Sequence, residues 1–122
     1  MAVQWRVYLS GEIHTGWREE IADGAQAAGL DILFSAPVTD HEASDDCGVV
    51  ILGSEPNKFW HDRKGAGVNA IRTRTLIEKA DIVVVRFGDK YKQWNAAFDA
   101  GYASALGKSV IIVHPPEHAH AL

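Results

Sequence analysis

Apolar positions along the chain gather into short runs separated by longer amphipathic stretches. WRVYL (Trp5–Leu9) reads as a buried strand, and SGEIHTG follows it as a loop. In WREEIADGAQAAGL, Trp17, Ile21, Ala25 and Ala28 recur at the spacing of one helix face. Thr15 or Gly16 supplies the cap, Glu19 and Glu20 suit the positive end of the helix dipole, and Gly29 stops the helix. DILFSAP (Asp31–Pro37) predicts a second strand. Periodicity returns at GVNAIRTRTLIEKA, a moderately amphipathic helix through Val68, Ile71, Thr75 and Ile77. DIVVVRF is apolar and β-branched, as in a sheet covered on both faces. GDKYKQ then turns into a helix over Trp94–Leu106, Gly107 closes it, and SVIIVH is a fourth strand.

Between Thr39 and Gly67 the pattern fails. This stretch is polar, rich in Asp, Ser and Gly, with one apolar island, CGVVILG. It is too long for a plain connection in a compact domain. Residues 39–67 are therefore read as a lid or interface insert, with room for a short helix. The order β-α-β-insert-α-β-α-β predicts a single α/β domain over residues 1–122. Its expected architecture is three-layer and flavodoxin- or Rossmann-like: a parallel sheet with helices on both faces and the insert after the second strand. Ligands of such sheets bind beyond the carboxyl ends of the strands. Ser10, Gly11, Glu12, Ser35, Asp89 and His114 fall at that edge.

Charge and composition narrow the partners. The net charge is −4 and the lysines and arginines are scattered, so no footprint for nucleic acid or an anionic membrane is present. No run approaches the ~18 apolar residues of a membrane span. The lone cysteine, Cys47, and an N-terminus without a signal-like apolar core lead to a cytoplasmic expectation. GEIHTGWR has the two glycines of a P-loop, but Trp17 and Arg18 stand where its Lys and Ser/Thr belong, which removes an NTPase. An anion site at that helix start stays open on general grounds. The histidines and acidic residues show no metal-ligand spacing, and neither a metal nor a cofactor is expected.

Asp99 is the residue that composition does not explain. It stands among alanines, glycine and aromatics in WNAAFDAGYASALGK. At about 100° per residue, Trp94, Phe98, Gly101, Tyr102 and Ala105 form the predicted buried arc, with Asp99 at its edge near Asn95. The bland reading is a boundary aspartate bonded to Asn95 or a neighbouring loop.

VYLSGEIHTGWREEI, PNKFWHDRK and ADIVVVRFGDKYKQWNAAFDAGYASALGKSVIIV together resemble the YtoQ family, a branch of the nucleoside 2-deoxyribosyltransferase-like superfamily. In those enzymes a glutamate in an E-x-G-Y-A…G-K helix attacks the anomeric carbon of the sugar. DAGYASALGK puts Asp99 in that place, and VYLSG puts Tyr8 where an aromatic orients the nucleophile. The resemblance further implies that Ala96, Gly101 and Ala103 leave room for base and sugar, and that the protein is a homo-oligomer. Phe59 and Trp60 are the candidates for that contact. Two departures stand out. Asp99 is one methylene shorter than glutamate, and IRTRT lacks the family's carboxylate, so Asp89 or Glu12 would have to serve as the acid.

Three readings follow. The first is an N-glycosidic enzyme, hydrolase or deoxyribosyltransferase, on a nucleoside or nucleotide, with Asp99 and Tyr8 catalytic. Ser10, Gly11, Glu12, Asp89 and Asn95 would line its substrate site. The second is a non-catalytic nucleotide- or nucleoside-binding module, in which Lys90 and Lys92 meet phosphate and Trp94 stacks on a base. The third is a structural subunit joined through the insert.

Overall fold

The computed structural model describes residues 3–89 and 93–118, without the side chain of His41. The expected positions Lys90 and Lys92 lie outside the described residues. Four strands, β1 (Trp5–Gly11), β2 (Ile32–Ser35), β3 (Ile82–Arg86) and β4 (Ser109–Val113), form one parallel sheet in the order β2-β1-β3-β4. Four helices accompany them: α1 (Trp17–Ala27), α2 (His41–Leu52), α3 (Lys58–Lys79) and α4 (Trp94–Ala105). None of the described helices is long and apolar enough to cross a membrane.

Strand alternation divides the core in two. Val7, Leu9 and Val84 pack with Trp17 of α1 on one face. Tyr8, Val83 and Val85 pack on the other, with Ile77 of α3 and Ala96 and Ala103 of α4. Because successive strand residues point to opposite faces, both faces demand a helical cover, and the result is the expected three-layer α/β fold. Gly29 and Gly107 end α1 and α4 in the left-handed region, with φ of 71° and 76°. Gly16 is the N-cap of α1 and makes no side-chain cap bond. β1 runs two residues further than its apolar core, taking Ser10 and Gly11 into the sheet.

The insert is mostly helical, more so than the short helix for which its polar pattern left room. Asp40 caps α2 by accepting from the Ala43 amide at 2.7 Å, and Asn57 caps α3 through the Phe59 amide at 2.8 Å. The α3 helix starts nine residues before Gly67 and continues through Gly65 and Gly67. The two helices cross where a Cβ on Gly48 would lie 2.2 Å from the Lys64 carbonyl carbon and one on Gly65 would lie 2.8 Å from the Asp45 carbonyl oxygen. Small residues thus form the contact, while Val50, Ile51, Leu52, Phe59 and Trp60 stay exposed. That inversion hides the helical period from a hydrophobicity pattern. Lys64 ties the turn, reaching the Gly53 carbonyl and Glu55, each at 2.9 Å.

The buried arc of α4 is also rotated from the predicted one. Ala96, Asp99 and Ala103 are buried, whereas Trp94, Phe98, Gly101 and Ala105 are exposed. The alanines let the helix lie close on β1 and β3. Both alanines pack in the core against the sheet, and Ala96 also lines the cleft described below. Gly101 has nothing within 4 Å of where a Cβ would stand, so it is not a close-packing position.

Candidate functional site

The chain leaves β1 toward β2 but re-enters the sheet on the other side at β3, which opens a crevice beyond their carboxyl ends. A cleft of about 800 Å³ occupies it. The β1–α1 loop, Pro37 and Val38 after β2, the inner sides of α2 and α3, and the first turns of α4 form its walls. The insert therefore contributes to the cleft through Ser44 and Arg63, and the rest of α3 through Asn69 and Thr73.

Asp99 lies at the floor, 5% exposed. The Ser10 hydroxyl, itself fully buried at the end of β1, donates to Asp99 Oδ2 at 2.5 Å. Burial raises the Asp99 carboxyl from the usual 3.8 to about 6, and the Ser10 bond acts against that rise. Asp99 is thus bonded to β1, and the expected boundary contact with Asn95 is not the one it makes. Asn95 and Trp94 stand exposed in the first turn of α4, both on the cleft wall, with Phe98 one turn on.

Tyr8 is fully buried beneath this floor, in the core with Ile77, Val83 and Ala96, and it does not line the cleft. Its hydroxyl approaches Thr73 without a well-directed hydrogen bond. Burial pushes it up to about 12, so it is neutral at all ordinary pH. Ser10, not Tyr8, is the side chain on the carboxylate.

Glu12 is buried and committed. Its carboxylate accepts from the backbone amides of His14 at 2.8 Å and Thr15 at 3.1 Å, and from the Thr15 hydroxyl. The Arg86 guanidinium lies 3.6 Å away. Burial works to raise its pKa, but the Thr15 hydroxyl, the two amides and Arg86 together hold the carboxyl below its usual range. A group held ionised with its oxygens engaged is not a proton donor, which removes Glu12 as the acid. Gly11, at φ 124°, packs so tightly that a Cβ would stand 2.1 Å from the Arg86 carbonyl oxygen. Asp89 is exposed in the turn after β3 and is not part of the cleft lining.

Arg18 turns under the loop and donates to the carbonyls of Leu9, Glu12 and Gly11 at 3.0, 2.7 and 3.2 Å. Sequence reasoning noted it only as a missing P-loop residue. The cleft residues His14, Arg63, Asn69, Thr73 and Phe98 were not singled out as site residues either. Arg63 lies in the part of α3 ahead of the predicted helix, and Phe98 was assigned to the core.

A family model described as "Nucleoside 2-deoxyribosyltransferase YtoQ" matches residues 8–122. A curated relative, "Uncharacterized protein YtoQ" of Bacillus subtilis (strain 168), is 46% identical over 120 residues, covering 98% of this chain and 81% of the relative.

Proposed function

The chain belongs to the YtoQ nucleoside 2-deoxyribosyltransferase family, and from that premise we propose that it cleaves the N-glycosidic bond of a nucleoside with Asp99 as nucleophile. One observation carries this reading: a buried carboxylate, oriented by Ser10, at the floor of a cleft in the strand-end crevice. A carboxylate that burial has made reluctant to ionise gains by forming a neutral ester, so its desolvation favours attack on a cationic anomeric centre.

In the proposed sequence Asp99 Oδ1 bonds to the anomeric carbon while Oδ2 remains on Ser10. The C–N bond breaks with its electron pair going to the base nitrogen, which must be protonated to leave. Among the described cleft residues the titratable side chains are Glu12, His14, Arg63 and Asp99. Glu12 is held ionised, a guanidinium is not a proton donor in proteins and Asp99 is the nucleophile, which leaves His14 to deliver the proton. Water or the nitrogen of a second base then attacks the same carbon and expels the carboxylate, its proton returning to His14. Trp94 and Phe98, one turn apart on α4 and 73% and 54% exposed, offer aromatic surface for the base. Tyr8 acts from below as support for the floor.

The test is base release from ribo- and deoxyribonucleosides and their 5′-monophosphates, with and without an acceptor base, followed by chromatography. Release that disappears in Asp99→Asn is the expected result, and acceptor dependence decides between hydrolase and transferase. Asp99→Asn with full activity refutes the nucleophile assignment. The competing reading is a binding module in which Asp99 accepts a ligand hydroxyl. It is favoured by how little of that carboxylate is exposed. No release across the panel, together with a ligand-induced thermal shift, would establish it.

A further inference from the structure

Backbone amides at the start of a helix ordinarily attract an anion from outside. Just ahead of the Gly16 cap of α1, two backbone amides are already engaged, by a carboxylate from the same loop. Glu12 takes the amides of His14 and Thr15 and the Thr15 hydroxyl, at 8% exposure. Its own backbone is clamped as well. The Glu12 amide donates to the Arg86 carbonyl at 3.2 Å, and its carbonyl accepts from Trp17 Nε1 at 2.9 Å and Arg18 Nη1 at 2.7 Å. On the far side Glu12 Cγ would lie 3.1 Å from a Cβ on Gly88, so the backbone just after β3 packs against it. The residue cannot swing aside without disturbing both loops that frame the cleft.

This bears on what the cleft accepts. Ser10, Gly11 and Glu12 are consecutive, so a sugar whose anomeric carbon meets Asp99 lies over the start of this loop. With its base toward Trp94 and Phe98, its other end faces Glu12 and His14. A phosphate there would find the His14 and Thr15 amides occupied, the Arg86 guanidinium already facing Glu12 at 3.6 Å, and two carboxylates, Glu12 and Asp99, as neighbours. Among the described lining residues Arg63 is the only Lys or Arg side chain, and it stands exposed on the α3 wall.

Resting on the proposed cleavage reaction for the direction in which the sugar lies, we propose that Glu12 is a specificity-determining residue, a resident anion that makes the cleft refuse ligands with a negatively charged 5′ end. The site then takes nucleosides with a free 5′-hydroxyl and discriminates against their 5′-monophosphates. Discrimination of this kind comes from a repulsive element and not from an extra attraction.

The experiment compares each nucleoside with its 5′-monophosphate on the wild type and on Glu12→Gln, which keeps the shape and an acceptor oxygen but removes the charge. The two readouts are kcat/KM for base release and affinity by calorimetry on the Asp99→Asn background. The wild type is expected to favour the nucleoside by at least about tenfold, and Glu12→Gln to shrink that ratio by about tenfold, mainly by improving the monophosphate. Equal or better use of the monophosphate by the wild type overturns the proposal. So does a Glu12→Gln variant that weakens both ligands alike and leaves the ratio unchanged, since that is what a purely structural role produces. If no base is released from either ligand, the cleavage reading fails, while the calorimetric ratio still decides the role of Glu12.

Discussion

Replacing Asp99 by asparagine should make the protein more stable at pH 8 and scarcely change it at pH 4. The sign follows from linkage. Paired carboxylates usually have a depressed pKa and lose stability on acidification, whereas that of Asp99 is raised from 3.8 to about 6 by burial. The unfolded chain ionises this group more readily than the folded one. The folded state therefore carries a deficit that is absent below about pH 3.8, grows as the pH rises, and is fully present above about pH 6. At ~1.36 kcal/mol per unit, a shift of about two units corresponds to about 3 kcal/mol at pH 8 and to about half a kcal/mol at pH 4.

Asparagine keeps an acceptor for the Ser10 hydroxyl and never ionises, so the variant escapes most of that deficit. Water at the mouth of the cleft relaxes part of the penalty, and a net gain of about 1–3 kcal/mol at pH 8 is expected. Urea unfolding followed by tryptophan fluorescence at both pH values measures it. With a slope of about 1–3 kcal/mol per molar, the midpoint at pH 8 should rise by roughly 1 M. The reasoning is refuted if the midpoints coincide at pH 8. It is equally refuted if the gain is as large at pH 4, because an effect indifferent to pH does not come from the charge. A gain in stability paired with loss of base release would be the exchange expected of a strained functional group.

The same group sets a pH profile: base release should rise as the pH climbs through about 6, and Ser10→Ala, which removes the bond that lowers the Asp99 carboxyl, should move this rise to higher pH in a rate–pH series. Gly48→Ala places a Cβ 2.2 Å from the Lys64 backbone, so α2 and α3 must separate, at a cost of about 1–3 kcal/mol in a urea titration despite the better helix propensity of alanine. A homo-oligomer, as the family resemblance implies, would find its apolar contact on the α2–α3 hairpin. There Phe59 and Trp60 pack edge to face at 4.9 Å and stand 60% and 57% exposed. Trp60→Glu is expected to lower the mass measured by analytical ultracentrifugation, and an unchanged mass places the contact elsewhere.

The sheet and its flanking turns were legible because each strand is a compact apolar run and α1 carries its own periodicity. Trp17 and Ala25 are buried where the spacing put them, although Ala28 is not. The hairpin was illegible for a physical reason: its interface is built from Cys47, Gly48 and Gly65, and hydrophobic periodicity registers large side chains. The α4 helix misled by the same logic. Periodicity assigns Trp94 and Phe98 to the core, but they face the cleft, and the alanines take the sheet contact. The partner of Asp99 was out of reach of any local pattern, since Ser10 is 89 residues away and only the β1–β3 pairing brings the end of β1 under α4.

That close approach also suits an aspartate at the place where the family resemblance implies a glutamate. Ala96 and Ala103 are buried at 4% and 0% exposure and set α4 directly on the sheet, so a short side chain spans the gap to Ser10 at 2.5 Å. A glutamate at this position would carry its carboxylate about 1.5 Å further along the side chain. With the helix fixed by its alanines, the extra methylene has to bend away from Ser10 and lift the carboxylate into the cleft. Asp99→Glu should therefore lose activity, by about 100-fold for a displacement near 1 Å, instead of recovering the rate of a longer nucleophile. Base-release kinetics on that variant decide the matter. A faster Asp99→Glu enzyme would mean that the Ser10 contact is incidental and that the reacting carbon lies higher in the cleft than the floor on which Asp99 sits.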